Sequence, residues 1–442
     1  MPATPLDSAI YTHLFSDKDV ATLFSDSAEI RAMLLVEGAL AEAQGKHNVI
    51  PEISAKAIAR AARETLIDPS ALAQETGQSA VVVPALVKAF RSEMQAPEHA
   101  QFIHWGATSQ DIMETGLILR LRQVTALFGA RLTSVVKALG AQAKTHADLP
   151  MAARTYGQTA TVTSFGAVMT SWGQPLLRHL TRLDPVRDDL LCVSLSGAAG
   201  TLSAMGPKGP QIRADLAKAL NLSDPGGSWH SERDRIAALA GWITGVAGSL
   251  GKIGEDLILL TQSDVAEVTL AQGGGSSTMP QKSNPVQPNL LVALARHIIA
   301  LNTTLQGAAL HRQQRDGAAW FTEWLTLPQM CISLAKMLAV AEDLAQGLTP
   351  NAQRMHDNID DGLGMIYAEA LSFALAAHMR RPEAQTAMKD LCLKARASGV
   401  GLAALTAAAW PEQDFSAVFS PSAQLGTAAQ EAGAFGRRCA EI

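Results

Sequence analysis

Residues 273–289 read GGGSSTMPQKSNPVQPN: three glycines, paired serines, a lysine and an asparagine stand directly before a helix start. Consecutive glycines let the backbone approach a ligand closely and leave the loop free to move, which suits a lid. Asn284 is a good N-cap residue and Pro285 is pre-set for the first helical position. The free N–H groups and positive dipole end of the following helix are therefore expected to point back at Ser276, Ser277 and Lys282. The expected product is an anion site with a hydroxyl beside it. A Gly/Ser run on its own is commonly no more than a flexible surface loop; the order of the residues around this one argues for more.

Outward from the loop, apolar residues recur at helical spacing. Ile236, Leu239, Ile243, Val246, Leu250, Ile253, Leu257 and Leu260 keep a three-four spacing, which predicts a helix of roughly 36 Å at 1.5 Å per residue. Gly241, Gly245, Gly248, Gly251 and Gly254 lie in it. Each costs about 1 kcal/mol against alanine in an isolated helix, so close packing on more than one side is implied. Lys252, Glu255 and Asp256 argue against a membrane span. Leu117, Leu121, Val124, Phe128, Leu132, Val135 and Leu139 form an earlier stripe. A third pattern runs from Pro285 to about His311, and a fourth follows Arg315 through Trp320, Trp324, Leu334 and Met337 with a kink expected at Pro328. Near the start, a helix is expected from Ser27, read as its N-cap, to about Gln44. Ala80 to Val83 is short and meets Pro84, which ranks helix over buried strand. Ser231 and Asp234 have a capping-box-like spacing. The chain reads as all-α in three parts: an N-terminal helical domain (1–110), a central long-helix bundle carrying the loop (111–347), and a small helical domain (348–442) in which Thr349-Pro350-Asn351 restarts a helix.

With 442 residues, 48% of them hydrophobic, the chain can bury a large core. A net charge of −5 without basic runs leaves no nucleic-acid footprint, so an anionic substrate must be met by local cations such as Lys282 and Arg315. Cys192, Cys331, Cys392 and Cys439 are far apart and show no CxxC spacing, which predicts neither a zinc site nor a disulfide framework and fits a reducing cytosol. The first residues show no basic region followed by an apolar core, so no signal peptide is read. The eleven histidines show no paired ligand spacing, and no metal or other cofactor is expected.

The string Ser276-Ser277-Thr278-Met279-Pro280-Gln281-Lys282-Ser283-Asn284-Pro285 resembles the GSSxMPxKxNP signature of the fumarase/aspartase superfamily. His104-Trp105-Gly106-Ala107-Thr108-Ser109-Gln110-Asp111 resembles its first active-site region, HxGxTSxD. Arg154-Thr155-Tyr156-Gly157-Gln158 resembles the second, usually a Thr-His pair followed by Gln. Ser196-Gly197-Ala198-Ala199-Gly200-Thr201 resembles the GAxGT turn, and Ser228 to Asp234 opens the central long helix. The resemblance covers roughly residues 100 to 330 in order. It implies a three-domain fold around a five-helix bundle, assembled as a homotetramer whose active sites each draw on three subunits. The implied chemistry is proton abstraction next to a carboxylate, giving a dianionic enolate, then loss of a leaving group from the adjacent carbon. Carried over residue by residue, Ser276 is the general base, and Lys282 with the helix start stabilises its alkoxide and the enolate. Thr108, Ser109, Thr155, Gln158, Ser277, Met279 and Asn284 contact the substrate, Arg315 adds a bidentate carboxylate contact, and His104 meets a substrate carboxylate.

Two departures narrow the resemblance. Where many of these lyases carry an acid/base histidine the chain has Tyr156, and where its glutamate partner belongs it has Asn289. Expelling hydroxide or nitrogen benefits from a proton donor, whereas a carboxylate, whose conjugate acid has a pKa of about 4, leaves as a stable anion. Loss of the pair, with WGATSQD, Trp229-His230 before Arg233-Asp234, and GAAWFTEW from Gly317 to Trp324, resembles the 3-carboxy-cis,cis-muconate cycloisomerase branch, which usually has tryptophan at the histidine position. That branch implies cofactor-independent lactonisation of a muconate tricarboxylate in the protocatechuate branch of the β-ketoadipate pathway. An adenylosuccinate-type or other polycarboxylate lyase, or a non-catalytic homologue, are the alternatives.

Overall fold

The computed structural model describes residues 4–271, 273–275, 278–360 and 362–442. The chain is dominated by helices. Those that position the site are α1 (Asp26–Lys46), α2 (Val83–Met94), α3 (Ser109–Thr145), α4 (Phe165–Leu190), α5 (Asp234–Leu260), α6 (Val286–Gly307), α7 (Gly317–Gly347) and α8 (Ala428–Ala440). The main departure from the all-α reading is a hairpin, β1 (Pro150–Thr155) with β2 (Gln158–Ser164). A smaller one joins β3 (Gly274–Gly275) to β4 (Ser283–Asn284).

Periodicity placed the long helices well. All eight positions of the stripe in α5, from Ile236 to Leu260, are buried, as are Leu121, Val124, Phe128, Leu132, Val135 and Leu139 in α3. Helix α7 runs through Pro328 and reaches Gly347, ten residues beyond Met337. Helix α6 ends at Gly307, short of His311.

Helix starts were placed less well. The cap of α1 is Ser25, whose hydroxyl accepts from the Ala28 N–H at 3.3 Å, two residues before Ser27. Asp234 opens α5 directly after Arg233, so Ser231 does not cap it. Ala80, in the left-handed region at φ 64°, ends a short helix, and Val83 begins α2. Residues 80–82 are thus a break between helices, and only Val83 of the 80–83 run is helical.

Compactness divides the chain into two discontinuous units: Met1–Ala130, His179–Ala247 and Leu294–Met337 form one, and Arg131–Arg178, Gly248–Ala293 and Leu338–Ile442 the other. The unit boundaries fall within α3, α4, α5, α6 and α7. The first unit's core gathers Met33, Leu34, Leu40, Ile58, Leu86, Phe90, Ile103 and Ile112. In the second, Leu371, Leu375, Leu391 and Leu402 form one cluster, and Ala152 and Val162 of the hairpin join Ile359, Ile366 and Tyr367 in another.

Within the second unit, α3 and α8 approach at Gly140. A Cβ there would lie 2.4 Å from the Cys439 Cβ, and one on Gly436 would lie 2.8 Å from the Gly140 carbonyl. Alanine gains about 1 kcal/mol of helix propensity over glycine, while overpacking a core costs about 1–3 kcal/mol. The clash involves a Cβ and backbone on both sides, which cannot swing aside, so it wins. Gly140→Ala is expected to lower the thermal midpoint; a raised midpoint in a melting experiment would show that the two helices do not meet there.

Candidate active site

The N-terminus of α3 organises the candidate residues of the first unit. Thr108 precedes the helix, and the side chain of Asp111, three residues on, reaches back to accept the Thr108 N–H at 3.0 Å. This is the returning arm of a capping box, and it places a carboxylate where the helix dipole favours one. The same buried carboxylate accepts the N–H groups of Ser196 at 2.8 Å and Gly197 at 3.0 Å, and Nε2 of His230 donates to it at 2.8 Å. Asp111 therefore ties three separated stretches of sequence together. Gly197, at φ 72°, lets the 196–201 turn lie against residue 106: a Cβ there would sit 3.4 Å from the Gly106 carbonyl.

A second network fixes Arg315. Its Nε donates to Gln110 Oε1 at 2.6 Å and its Nη2 to the Ala198 carbonyl at 3.4 Å. Gln110 in turn donates through Nε2 to Glu114 Oε1 at 2.7 Å and to the His230 carbonyl at 3.0 Å. Glu114 accepts from Arg233 Nη1 at 2.6 Å. Arg233 also grips Glu323 with Nε at 2.8 Å and Nη2 at 2.6 Å, a bidentate pair, and stacks over Trp229 at 5.0 Å. Burial works against the charge on Arg233, but the two carboxylates outweigh it and hold its pKa above the ordinary value.

His104 enters from the preceding loop with its backbone at φ 65°, and its Nδ1 lies 2.7 Å from Glu37 Oε1 of α1. His104, Thr108, Ser109 and Arg315 thus belong to the first unit, around the start of α3. Gln110, Asp111, Glu114, Arg233, Glu323 and Glu37 were not singled out from the sequence as site residues. The signal available for two of them was local: Gln110 and Glu114 are four apart, on one face of a helix whose flanks are otherwise apolar.

The other site residues belong to the second unit. Thr155 and Gln158 face each other across Tyr156-Gly157, with φ 51° and 75°, the pattern of a two-residue hairpin turn. The tip is open: Tyr156 is 105% exposed. Below it, Arg154 is held bidentately by the buried Glu267 at 2.8 and 2.7 Å, and Asn358 donates to the same carboxylate at 2.9 Å.

The 273–289 stretch corrects the reading of its helix start. Gly274 and Gly275 pair with Asn284 and Ser283, so the loop closes as a hairpin. Asn284 is committed to that pairing. The first helical carbonyl is that of Pro285, which accepts from the Asn289 N–H at 3.1 Å, and α6 starts at Val286, one residue later than expected. The Asn289 side chain folds back on the same carbonyl at 2.8 Å. Lys282 is exposed and its N–H donates to Met279 at 3.0 Å, turning the loop back toward the helix. Ser276 and Ser277, read as base and substrate contact, lie outside the described residues.

A helical fold of long central helices carrying these motifs in order defines a lyase, and the lyase family model matches residues 13–300: the chain belongs to that family. Among solved structures, the 3-carboxy-cis,cis-muconate lactonizing enzyme from Pseudomonas putida superposes with a TM-score of 0.92 at 33% identity, covering 98% of this chain and 100% of that one. The 3-carboxy-cis,cis-muconate cycloisomerase of Pseudomonas aeruginosa is 38% identical over 391 residues, 87% of this chain and 85% of that protein. The nitrosuccinate lyase of Streptomyces davaonensis is 34% identical over 421 residues, 92% of this chain and 88% of that protein.

Asp111→Asn preserves size but turns one acceptor oxygen into a donor facing other donors. An unsatisfied buried donor costs about 1–3 kcal/mol, so the denaturant midpoint should fall accordingly and turnover with it, because Thr108 and the 196–201 turn lose their common tie. A midpoint equal to that of the wild type would remove Asp111 from this role.

Proposed function

We propose that this chain is a cofactor-independent cycloisomerase that interconverts 3-carboxy-cis,cis-muconate and its carboxymuconolactone, and that it works in the cytoplasm on this step of aromatic-acid breakdown. The observation that carries the reading is the likeness, over 87% of the chain, to a cycloisomerase of that name. Tyr156 and Asn289 give it a chemical reason, since they occupy the positions of the leaving-group acid and its partner. In the lactone-opening direction a base takes the proton α to a carboxylate, and the resulting dianionic enolate expels the ring carboxylate from the neighbouring carbon. That anion needs no proton to depart.

In this reading Ser276 is the base. Lys282 and the N–H groups of Val286 and Gln287 at the start of α6 stabilise its alkoxide and the enolate, while Arg315, set by Gln110, takes a carboxylate in a fork. Thr108, Ser109, Thr155, Gln158, Ser277, Met279 and Asn284 shape and hydrogen-bond the remaining groups. Assembly as a homotetramer with shared sites belongs to the same proposal. It is supported by the open hairpin tip, since a ring exposed like that of Tyr156 walls no pocket until another copy covers it. It is supported also by exposed apolar residues on the long helices, Leu259 at 55%, Ile299 at 48% and Leu325 at 69%. A second reading, elimination of nitrite from a nitrosuccinate, is favoured by the 34% identity to a lyase of that name. Nitrite, like a carboxylate, leaves without a proton.

The purified protein is expected to consume 3-carboxy-cis,cis-muconate, followed by loss of diene absorbance, and to release neither AMP from adenylosuccinate nor nitrite from nitrosuccinate. AMP or nitrite in place of diene loss would overturn the choice. Ser276→Ala should remove nearly all turnover with the assembly intact, and near-normal activity would sink the base assignment. Tyr156→Phe deletes only a hydroxyl and should cost up to roughly tenfold in kcat, the worth of one hydrogen bond, whereas removing a true general acid costs on the order of a hundredfold or more. A drop on the order of a thousandfold with loss of the basic limb of the pH profile would mean that tyrosine protonates a more basic leaving group.

A further inference from the structure

Arg91 of α2 donates through Nε to the Ala100 carbonyl at 3.2 Å and through Nη2 to that of Ile103 at 2.9 Å, and Gln44 of α1 donates to the Trp105 carbonyl at 2.6 Å. Two helices thus clamp the loop on either side of His104 and hold it in a backbone conformation, φ 65°, that histidine rarely adopts. Glu37, two helical turns before Gln44 on the same face of α1, meets the imidazole at 2.7 Å while only 1% of its side chain is exposed. Its other oxygen, Oε2, has no hydrogen-bond partner among the described residues. A buried carboxylate with half its acceptor capacity unused is costly, so its presence calls for an explanation, and the neighbour it holds supplies one. With Nδ1 committed to Glu37, the ring's remaining polar atom is Nε2. His104 also lines a cavity of about 460 Å³ together with Ser109, Lys88 and Arg91 and an apolar wall of Val83 and Val87.

We propose that Glu37 is a positioning residue: it fixes His104 so that Nε2–H, with Lys88 and Arg91, receives one carboxylate of a polycarboxylate substrate in this cavity. The inference rests on the proposed function and deepens it, because a tricarboxylate needs a cationic contact beyond Lys282 and Arg315. The charged groups around the ring agree. Burial opposes the imidazolium, but Glu37 beside it and Asp111 of α3 outweigh burial and the opposing Arg91, so the His104 pKa is raised. A raised value keeps the ring charged further into the neutral range; carboxylate binding is then complete at lower pH and is lost as pH rises through that value. Lys88 is shared at its exposed end with Glu75 at 3.4 Å and remains free to turn inward.

The test compares wild type, Glu37→Gln and Lys88→Gln in the full-length protein. Glu37→Gln keeps size and an acceptor but removes the charge, so KM for the muconate should rise about tenfold with a smaller effect on kcat, and the basic limb of kcat/KM should move to lower pH by about one unit. Lys88→Gln should raise KM without moving that limb. An unmoved limb and an unchanged KM in Glu37→Gln would overturn the proposal. Should the wild type not turn over the muconate, the proposed function fails on its own, and binding of propane-1,2,3-tricarboxylate is measured calorimetrically instead. About tenfold weaker binding in both variants supports the pocket; equal affinity, or no binding by the wild type, overturns it. If Glu37→Gln does not fold, Lys88→Gln decides by the same readings, an unchanged KM or affinity overturning the pocket.

Discussion

The arrangement at the start of α3 depends on one carboxylate. Asp111 takes hydrogen bonds from Thr108, Ser196, Gly197 and His230, the last of them 119 residues from it in the chain. Burying a carboxylate costs several kcal/mol, and hydrogen bonds to a charged group return about 1.5–3 kcal/mol each, so four donors are what make the site tolerable. The net gain in stability is small. The gain in specificity is large, because other placements of the 196–201 turn or of His230 leave a buried anion short of partners. Its position at the third residue of a helix adds the dipole and ensures that Asp111 is aimed correctly as soon as α3 forms.

Around this tie, neutral Gln110 connects two charged systems without merging them. Its amide donates to Glu114, which fixes which end is oxygen, and that oxygen then takes Arg315. Arg233 lies between Glu114 and Glu323 and is satisfied by them; Arg315 donates to an amide and a carbonyl, so its charge stays available for an anion. A carboxylate at position 110 would have neutralised Arg315 and spent it on structure.

The extent to which all this was legible in the sequence follows the range of the forces involved. Helix burial is a local periodic property, so the stripe of α5 was read residue by residue. Caps are decided by competition between adjacent serines, and Ser25 won over Ser27 through its reach to the Ala28 N–H. The hairpin at 150–164 was missed although Thr159 to Thr163 alternate polar and apolar, because the stretch is short and the apolar run Met151-Ala152-Ala153 on the facing strand breaks the pattern. The motif order 104–111, 154–158 and 276–285 named the candidate site residues. Their supports, Glu37 for His104 and Arg233 with Glu323 behind Gln110, were not legible, because a single sequence carries no sign that positions 37 and 104 meet.

In the proposed homotetramer the exposed hairpin tip would link function to association. In the proposed assembly, contacts between copies would also cover apolar side chains such as Leu259, Ile299 and Leu325; these are already partly buried, so each would add about half of the 1.5–3 kcal/mol that burying an exposed side chain is worth. Four copies would multiply that term, whereas the polar tip itself, Thr155, Tyr156 and Gln158, offers little hydrophobic gain. Association would then be driven by the helices and merely used by the hairpin. That would leave residues 155–158 of the proposed site free to be chosen for its leaving group, and a tyrosine could stand at position 156 without loss of assembly.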